Sequence, residues 1–452
     1  MAWPDVSGPD RPAGRVGRRA DAATLLCWYA GILLIIPNHL VIAGLSFNLT
    51  PSLLLGLGLG MWWFCAQLVS NLGAAKGRNA VRTGLFLFLA ANIASYGYAT
   101  YNYLPGDELK AADRSTLTMV GYIMVGILVV DGVRSLVRLD ALLLVVVNTT
   151  AVVAIVGLLQ FFINIDISKP FELIPGLHPV APLSFVLERS IFRRPAGTTG
   201  HPIEFGVLTA MVLPLAVHYA FYRPLRQATG QLSAAWWRWA TVTLIGMGAL
   251  ISLSRSAILG LVAGGIILLP TWPPRRRVRA LATIAGFTVF MRLLVPGLIG
   301  TLLSLFKNLG GDPSIQGRTN DYAAAGKQIH DHLLFGRGFG TYLPSRYGPL
   351  DNQYLGSMVE TGVVGVASLV IMMFTAVAAV RASRRVSEDV VTRDLAQSLA
   401  ASVVILIAAY ATYDAFGFSM ATGLSFVLIG ACGVLLRLSQ LSRNAAGREA
   451  VP

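Results

Sequence analysis

Leu139 to Ile163 reads LDALLLVVVNTTAVVAIVGLLQFFI, an apolar run longer than the roughly 20 residues a helix needs to cross a bilayer. Comparable runs recur along the 452-residue chain, at about 23–45, 51–72, 85–103, 117–137, 204–222, 235–253, 256–272, 281–303, 354–380, 395–413 and 420–436. Backbone polar groups in lipid must pair within their own segment, so these spans are expected to be helices. Alternating strand-like runs of the outer-membrane barrel type are absent. With 55% hydrophobic residues, 13% charged residues and a mean hydropathy of +0.64, the chain is far too apolar for a soluble globular protein. The fold class expected is all-α: a polytopic helical membrane protein with about 12 transmembrane helices.

The formal charge of +14 does not point to nucleic acid, because no binding motif accompanies the basic residues. They fall between apolar spans, where Lys and Arg orient membrane helices. Arg11, Arg15, Arg18 and Arg19 precede the first run, which continues without a convincing cleavage site and reads as an uncleaved helix with a cytoplasmic tail over 1–22. Counting spans from there, Lys76/Arg78/Arg82, Arg134/Arg138, Arg223/Arg226, Arg275/Arg276/Arg277 and Arg381/Arg384/Arg385 all fall inside, with Arg437 and Arg443 in a cytoplasmic tail over 437–452. The expected location is the cytoplasmic membrane, with both termini inside. Helical bundles over 23–163, 204–303 and 354–436 are then separated by two long extracytoplasmic loops, 164–203 and 304–353. Cys27, Cys65 and Cys432 all lie in apolar runs and form neither a disulfide framework nor a metal motif.

The two loops gather the unusual chemistry. The shorter carries Arg194-Pro-Ala-Gly-Thr-Thr-Gly-His201-Pro202, whose glycines let the backbone approach a ligand closely. Arg255, in Leu253-Ser254-Arg255-Ser256, sits at the outer end of two spans, where an Arg costs less than at the membrane centre. Arg318 opens a helical stretch with Asp321 as a competing partner, and Arg337 lies in a glycine-rich tight turn at 336–340. Asp351 precedes a span and reads either as a general base or as the N-cap of that helix. His330 and His332 do not share a helical face, so no metal site is expected. Arg292 lies well inside a span, with Asp131 and Asp414 as candidate partners.

These motifs, in this order, resemble the O-antigen ligase and O-antigen polymerase superfamily of bacterial membrane glycosyltransferases. The resemblance runs from Arg194-Pro-Ala-Gly-Thr-Thr-Gly-His-Pro through Ser254-Arg255-Ser256 and Gly317-Arg318 to His332-Leu-Leu-Phe-Gly-Arg-Gly-Phe-Gly-Thr341. It ends with Asp351-Asn-Gln-Tyr-Leu ahead of Glu360-Thr-Gly-Val-Val-Gly365. It implies an undecaprenyl-pyrophosphate-linked glycan donor, a glycan or glycolipid acceptor, transfer with inversion, and no metal or cofactor. It also implies that Arg194 and Arg255 bind the pyrophosphate with Arg318 or Arg337 assisting, with His201 and Asn352 lining the substrate site and Asp351 as base. Ligases of the superfamily typically carry His before the Asn that corresponds to Asn352, so Asp351 weakens the reading as a lipopolysaccharide ligase and leaves polymerase-like or other glycan-transferring members more open. A different class, a transporter or flippase for a lipid-linked glycan, would instead place its polar residues along a path at the bilayer midplane.

Overall fold

The computed structural model describes residues 21–44, 48–69, 77–165, 169–180, 186–189, 192–222, 235–307, 322 and 325–449. Five helices open the chain: α1 (Ala22–Ile35), α2 (Pro51–Leu68), α3 (Ala80–Tyr101), α4 (Gly106–Gly132) and α5 (Leu136–Ile163). Their starts are set by side-chain caps. Thr50 accepts from Leu53 N–H ahead of Pro51, Asn79 accepts from Val81 and Arg82 N–H, and Ser135 accepts from Arg138 N–H. A short α6 (Lys169–Glu172) leads to α7 (Pro202–Phe221), α8 (Ala235–Ile251), α9 (Arg255–Leu268), α10 (Pro274–Leu294) and α11 (Leu298–Lys307). Two short helices, α12 (residues 325–331) and α13 (Pro344–Tyr347), precede the closing trio α14 (Gln353–Val386), α15 (Val390–Tyr410) and α16 (Ser419–Glu449).

The chain is a multi-pass helical membrane protein. Among the described residues seven helices, α2, α4, α5, α7, α14, α15 and α16, are long and apolar enough to cross a membrane. An eighth is reached only if α10 and α11 count as one span bent by 111°. Two of the departures from twelve have local causes. The run expected at 23–45 is a helix only to Ile35, after which β1 (Leu40–Ile42) pairs antiparallel with β2 (Leu177–Pro179) of the first long loop. The run expected at 281–303 breaks at Val295-Pro296-Gly297, where Pro296 removes a backbone donor and Gly297 takes a φ of +89°. Arg292 therefore lies exposed in the last turn of α10, not inside a continuous span. The expectation of helices alone also missed a hairpin, β3 (Val186–Arg189) with β4 (Phe192–Pro195), that pairs Leu187 with Arg194.

Small residues set how closely the helices pack. A Cβ at Gly260 or Gly264 of α9 would come within 2.8 and 2.7 Å of Ile405 on α15, so the two backbones meet there almost without side chains between them. Asp131, at the end of α4, takes a 2.9 Å ion pair from Arg82 and a 3.1 Å hydrogen bond from the Trp63 indole. Its partner is thus a loop-edge cation and not Arg292.

Candidate active site

Four segments, distant in sequence, meet where α7, α9, α14 and α16 begin and α5 ends. The first is the turn after β4. Gln160, buried near the end of α5, accepts from the N–H of Ala196 (3.2 Å) and Gly197 (2.7 Å) and donates to the Gly197 carbonyl (3.0 Å). One amide side chain thus satisfies three backbone groups that would otherwise be stranded in an apolar bundle. Thr198 Oγ1 donates to the last turn of α1 at Leu34 O (2.7 Å), and Thr199 Oγ1 closes the turn on Ala196 O (2.6 Å).

That fixed turn aims Arg194 at the second segment. Arg194 is buried, and its Nε donates to the Ser252 carbonyl at 3.1 Å. Ser252 follows α8, Leu253 adopts a left-handed φ of +49°, and Ser254 caps α9 by accepting from Ala257 N–H. A left-handed leucine is uncommon and marks a turn whose shape the surroundings impose. The turn delivers Arg255 as the first residue of α9, so Arg194 and the loop that presents Arg255 are joined directly.

The third segment is the start of α7. Glu204, with no exposed surface, accepts from Gly200 N–H (3.1 Å), from Met420 and Ala421 N–H (2.8 and 3.1 Å), and from the Asn38 amide (3.2 Å). Its carboxylate serves the glycine loop and the N-terminus of α16 together, where the helix dipole favours a negative charge. His201 caps α7 with Nδ1 accepting from Ile203 N–H (3.1 Å), and its ring lies 5.5 Å from that of Phe418. Burial and the nearby Arg194 push its pKa down to about 4, against the opposing pull of Asp351. At neutral pH His201 is therefore uncharged, and with Nδ1 accepting, its proton sits on Nε2.

The fourth segment joins the start of α14 to the α15–α16 connection. Asn352, not Asp351, caps α14, accepting from Tyr354 and Leu355 N–H at 3.0 and 3.2 Å. Of the two readings left open for Asp351, the cap therefore falls to its neighbour. Gln353 Oε1 accepts from Phe416 N–H (2.7 Å), and Ser256 Oγ donates to Thr412 O (3.5 Å), so the residues beside Asp351 and Arg255 grip the same connection. Asp414 lies in it. Burial, reinforced by the Asp351 charge, pushes the Asp414 carboxyl up to about 6, although Gly417 N–H (3.3 Å) stabilises its ionised form.

The glycine-rich turn has a separate role. Gly362 interrupts α14 with φ +63° and ψ −164°, and residues 333–340 dock into the break. Arg337 and Gly338 N–H donate to Val359 and Glu360 O (3.0 and 2.9 Å), while Leu333 and Leu334 O accept from Val363 and Val364 N–H (2.9 and 3.2 Å). Each side supplies what a broken helix leaves unsatisfied. A Cβ on Gly336 would collide with the Glu360 backbone, and one on Gly362 with the Leu334 carbonyl. Arg337 donates to Glu108 (2.6 Å), Gln328 (2.7 Å) and the Tyr347 hydroxyl (2.9 Å), and Glu108 also holds Arg346 (2.8 Å).

The structure thus gathers Arg194, His201, Asp351 and the Arg255 turn, and it sets Arg337 in a neighbouring ion-pair network. Arg318 lies outside the described residues. Among the described residues no group of three or more His, Cys, Asp or Glu is arranged to hold a metal ion. Sequence reasoning did not single out Gln160 and Glu204, yet both are polar residues in apolar helices, which is the signal that marks functional or structural positions in membranes. Asp414 drew notice as a possible partner for Arg292, whereas its neighbour is Asp351.

No curated protein matches the chain. Residues 240–370 match the family model described as O-Antigen ligase, a stretch that takes in Arg255, Arg318, Arg337, Asp351 and the Gly362 break. That match supports a role in glycan transfer during polysaccharide biosynthesis, and over this stretch the chain is similar to the O-antigen ligase family.

Proposed function

We propose that the chain transfers or polymerises a glycan carried on undecaprenyl pyrophosphate, at the outer face of the cytoplasmic membrane. The acceptor, a glycan or glycolipid, attacks with a hydroxyl oxygen at the anomeric carbon of the donor. The bond from that carbon to the pyrophosphate oxygen breaks, and the anomeric centre inverts. Asp351 takes the hydroxyl proton. Arg194, Arg255 and Arg318 neutralise the charge that grows on the departing undecaprenyl pyrophosphate, the work a metal ion does elsewhere. Uncharged His201 offers an N–H to substrate oxygens, Asn352 fixes the backbone that carries Asp351, and Arg337 positions the 333–347 segment through Glu108.

The observation that carries this reading is the meeting of Arg194, the Ser252–Arg255 turn and the start of α14 at one end of the bundle. The basic residues Arg82, Arg276 and Arg384 lie at helix ends away from this site, and Arg437 follows the apolar part of α16, which supports an outward-facing site, inward-facing termini and two long outer loops. About twelve crossings remain the proposed layout, with α1, α3, α8, α9 and the bent α10–α11 pair, taken as one crossing, completing the set. Asp351, where ligases of the superfamily typically carry His, favours a polymerase-like member.

Deleting the protein and analysing the accumulated lipid-linked glycan tests the reading. Accumulation of single repeat units identifies a polymerase, and accumulation of long finished chains on lipid a ligase. Unchanged lipid-linked pools, or pools trapped on the inner leaflet, would remove the transferase assignment.

A further inference from the structure

We propose that a cleft at the far end of α7, α9 and α14, opposite the candidate active site, binds a phosphate group of the kind an anionic phospholipid carries. Tyr222 follows α7, Trp272 follows α9, Arg276 opens α10, Arg384 ends α14, and Arg393 and Asp394 lie in the first turns of α15. The cavity they line is about 130 Å³, below the roughly 300–1,000 Å³ of clefts that enclose a whole small molecule, and it suits one compact anion.

Arg276 is the centre of the site. Its side chain is only 11% exposed, and its guanidinium lies 4.0 Å from the Phe221 ring and 4.1 Å from that of Trp272. Nη1 donates to Asp394 Oδ1 at 2.6 Å, while Nε and Nη2 have no hydrogen-bond partner among the described residues. Asp394 is shared, because its other oxygen meets His218 Nδ1 at 2.7 Å. Arg384 donates to Gln397 at 3.1 Å, and Arg393 is exposed at the rim. Three guanidinium groups therefore face one carboxylate. A structural staple needs only Arg276 and Asp394 and makes no use of Arg276 Nε and Nη2, while Arg384 and Arg393, whatever they add to helix orientation, line the same cleft. A tetrahedral oxyanion matches planar guanidinium forks.

The aromatic surroundings indicate how such an anion arrives. Trp236 and Trp239 are exposed beside the cleft, with Trp239 and Phe221 rings 5.2 Å apart. Aromatic side chains of this kind collect at the depth of lipid headgroups, so a headgroup phosphate reaches the cleft without leaving the membrane plane.

The test measures binding to the full chain in detergent of three probes: dioctanoyl phosphatidylglycerol, dioctanoylglycerol lacking the phosphate, and inorganic phosphate. Near a surface each Arg contributes about 1 kcal/mol toward an anionic lipid, so Arg384→Gln with Arg393→Gln should weaken phosphatidylglycerol by about thirtyfold, and exposed Arg393→Gln alone by about fivefold. Both variants keep Arg276, Asp394 and His218 in place. Binding of phosphatidylglycerol but neither control, lost in the variants, supports the site with lipid as source. Saturable inorganic phosphate binding with the same losses supports the site with free phosphate as source. Equal binding of phosphatidylglycerol and dioctanoylglycerol, or variants that bind as wild type, would overturn it.

Discussion

Replacing Asp351 by Asn separates chemistry from helix capping more cleanly than the sequence allowed. Capping falls to Asn352, whose side-chain oxygen takes the Tyr354 and Leu355 N–H groups. Asp351→Asn therefore spares the cap, and the loss of about 0.5–2 kcal/mol that removing a cap brings is expected for Asn352→Ala instead. An Asn side chain cannot take a proton near neutral pH, and general-base catalysis contributes about 10²–10⁴-fold. The variant should fold and insert like wild type yet transfer glycan at least a hundredfold more slowly, by that same contribution. Asp351 also helps hold up the Asp414 pKa, so its neutralisation should move the Asp414 titration downward from about 6. The assay is glycan released from lipid per minute in membranes of a deletion background, with melting temperatures of both variants measured alongside. Turnover above about a tenth of wild type in Asp351→Asn would refute the base assignment, since a base worth 10²-fold cannot be lost so cheaply.

Arg255→Lys keeps the charge but loses the planar fork, so activity should drop severely while membrane insertion stays near normal; retained activity in both Arg194→Ala and Arg255→Ala would discard the pyrophosphate role. Asp414 titrates near 6 in the fold against 3.8 ordinarily, so the fold binds its proton more tightly than the unfolded chain does. Wild-type stability should therefore fall as pH rises from about 4 through 6, by on the order of 3 kcal/mol. Asp414→Asn should remove that slope, melting higher than wild type at pH 7.5 and level with it near pH 4; a gap independent of pH would refute this. Gly362→Ala must place a Cβ against the Leu334 carbonyl at a left-handed φ, a strain of about 1–3 kcal/mol that should loosen the 333–340 turn to proteolysis. Cysteines at Ser184 and Ser314 should be labelled from outside intact cells. Ser383 is buried against Ser439, so Ser387, just past α14, makes the better inner reporter, and labelling of Ser314 only after permeabilisation would reverse the topology.

How much of this could be read beforehand depended on whether the signal was local. The apolar run ending at Ile163 is a helix because nothing in it interrupts the pattern, and α5 starts only three residues before the expected Leu139. The Pro296-Gly297 break was written in the sequence as well, but its flanks are apolar enough to pass for one span. The cap reading, one of two open for Asp351, falls one residue later because Asp351 and Asn352 are both good caps, and only the backbone decides between them. The glycine turn read correctly as a tight turn, yet its purpose was hidden. Gly336 and Gly362 make sense only once the two backbones are seen in contact, and no periodicity in either segment encodes that contact. The convergence of Arg194 with the Arg255 turn was suggested by sharing one side of the membrane, whereas Gln160 and Glu204, which fix it, sit within apolar runs.

The Glu204 carboxylate carries a consequence for biosynthesis. Two of its donors, Met420 and Ala421 N–H, come 216 and 217 residues later in the chain. At about 5–20 residues per second the ribosome needs roughly ten to forty seconds to supply them. Throughout that interval the start of α7 bears a carboxylate missing two of its N–H partners, which is costly in lipid. The Arg194 turn therefore cannot take its final form on the nascent chain until α16 has been made and docked, and a chain truncated before Ser419 should insert its early helices yet leave this end of the bundle open to water.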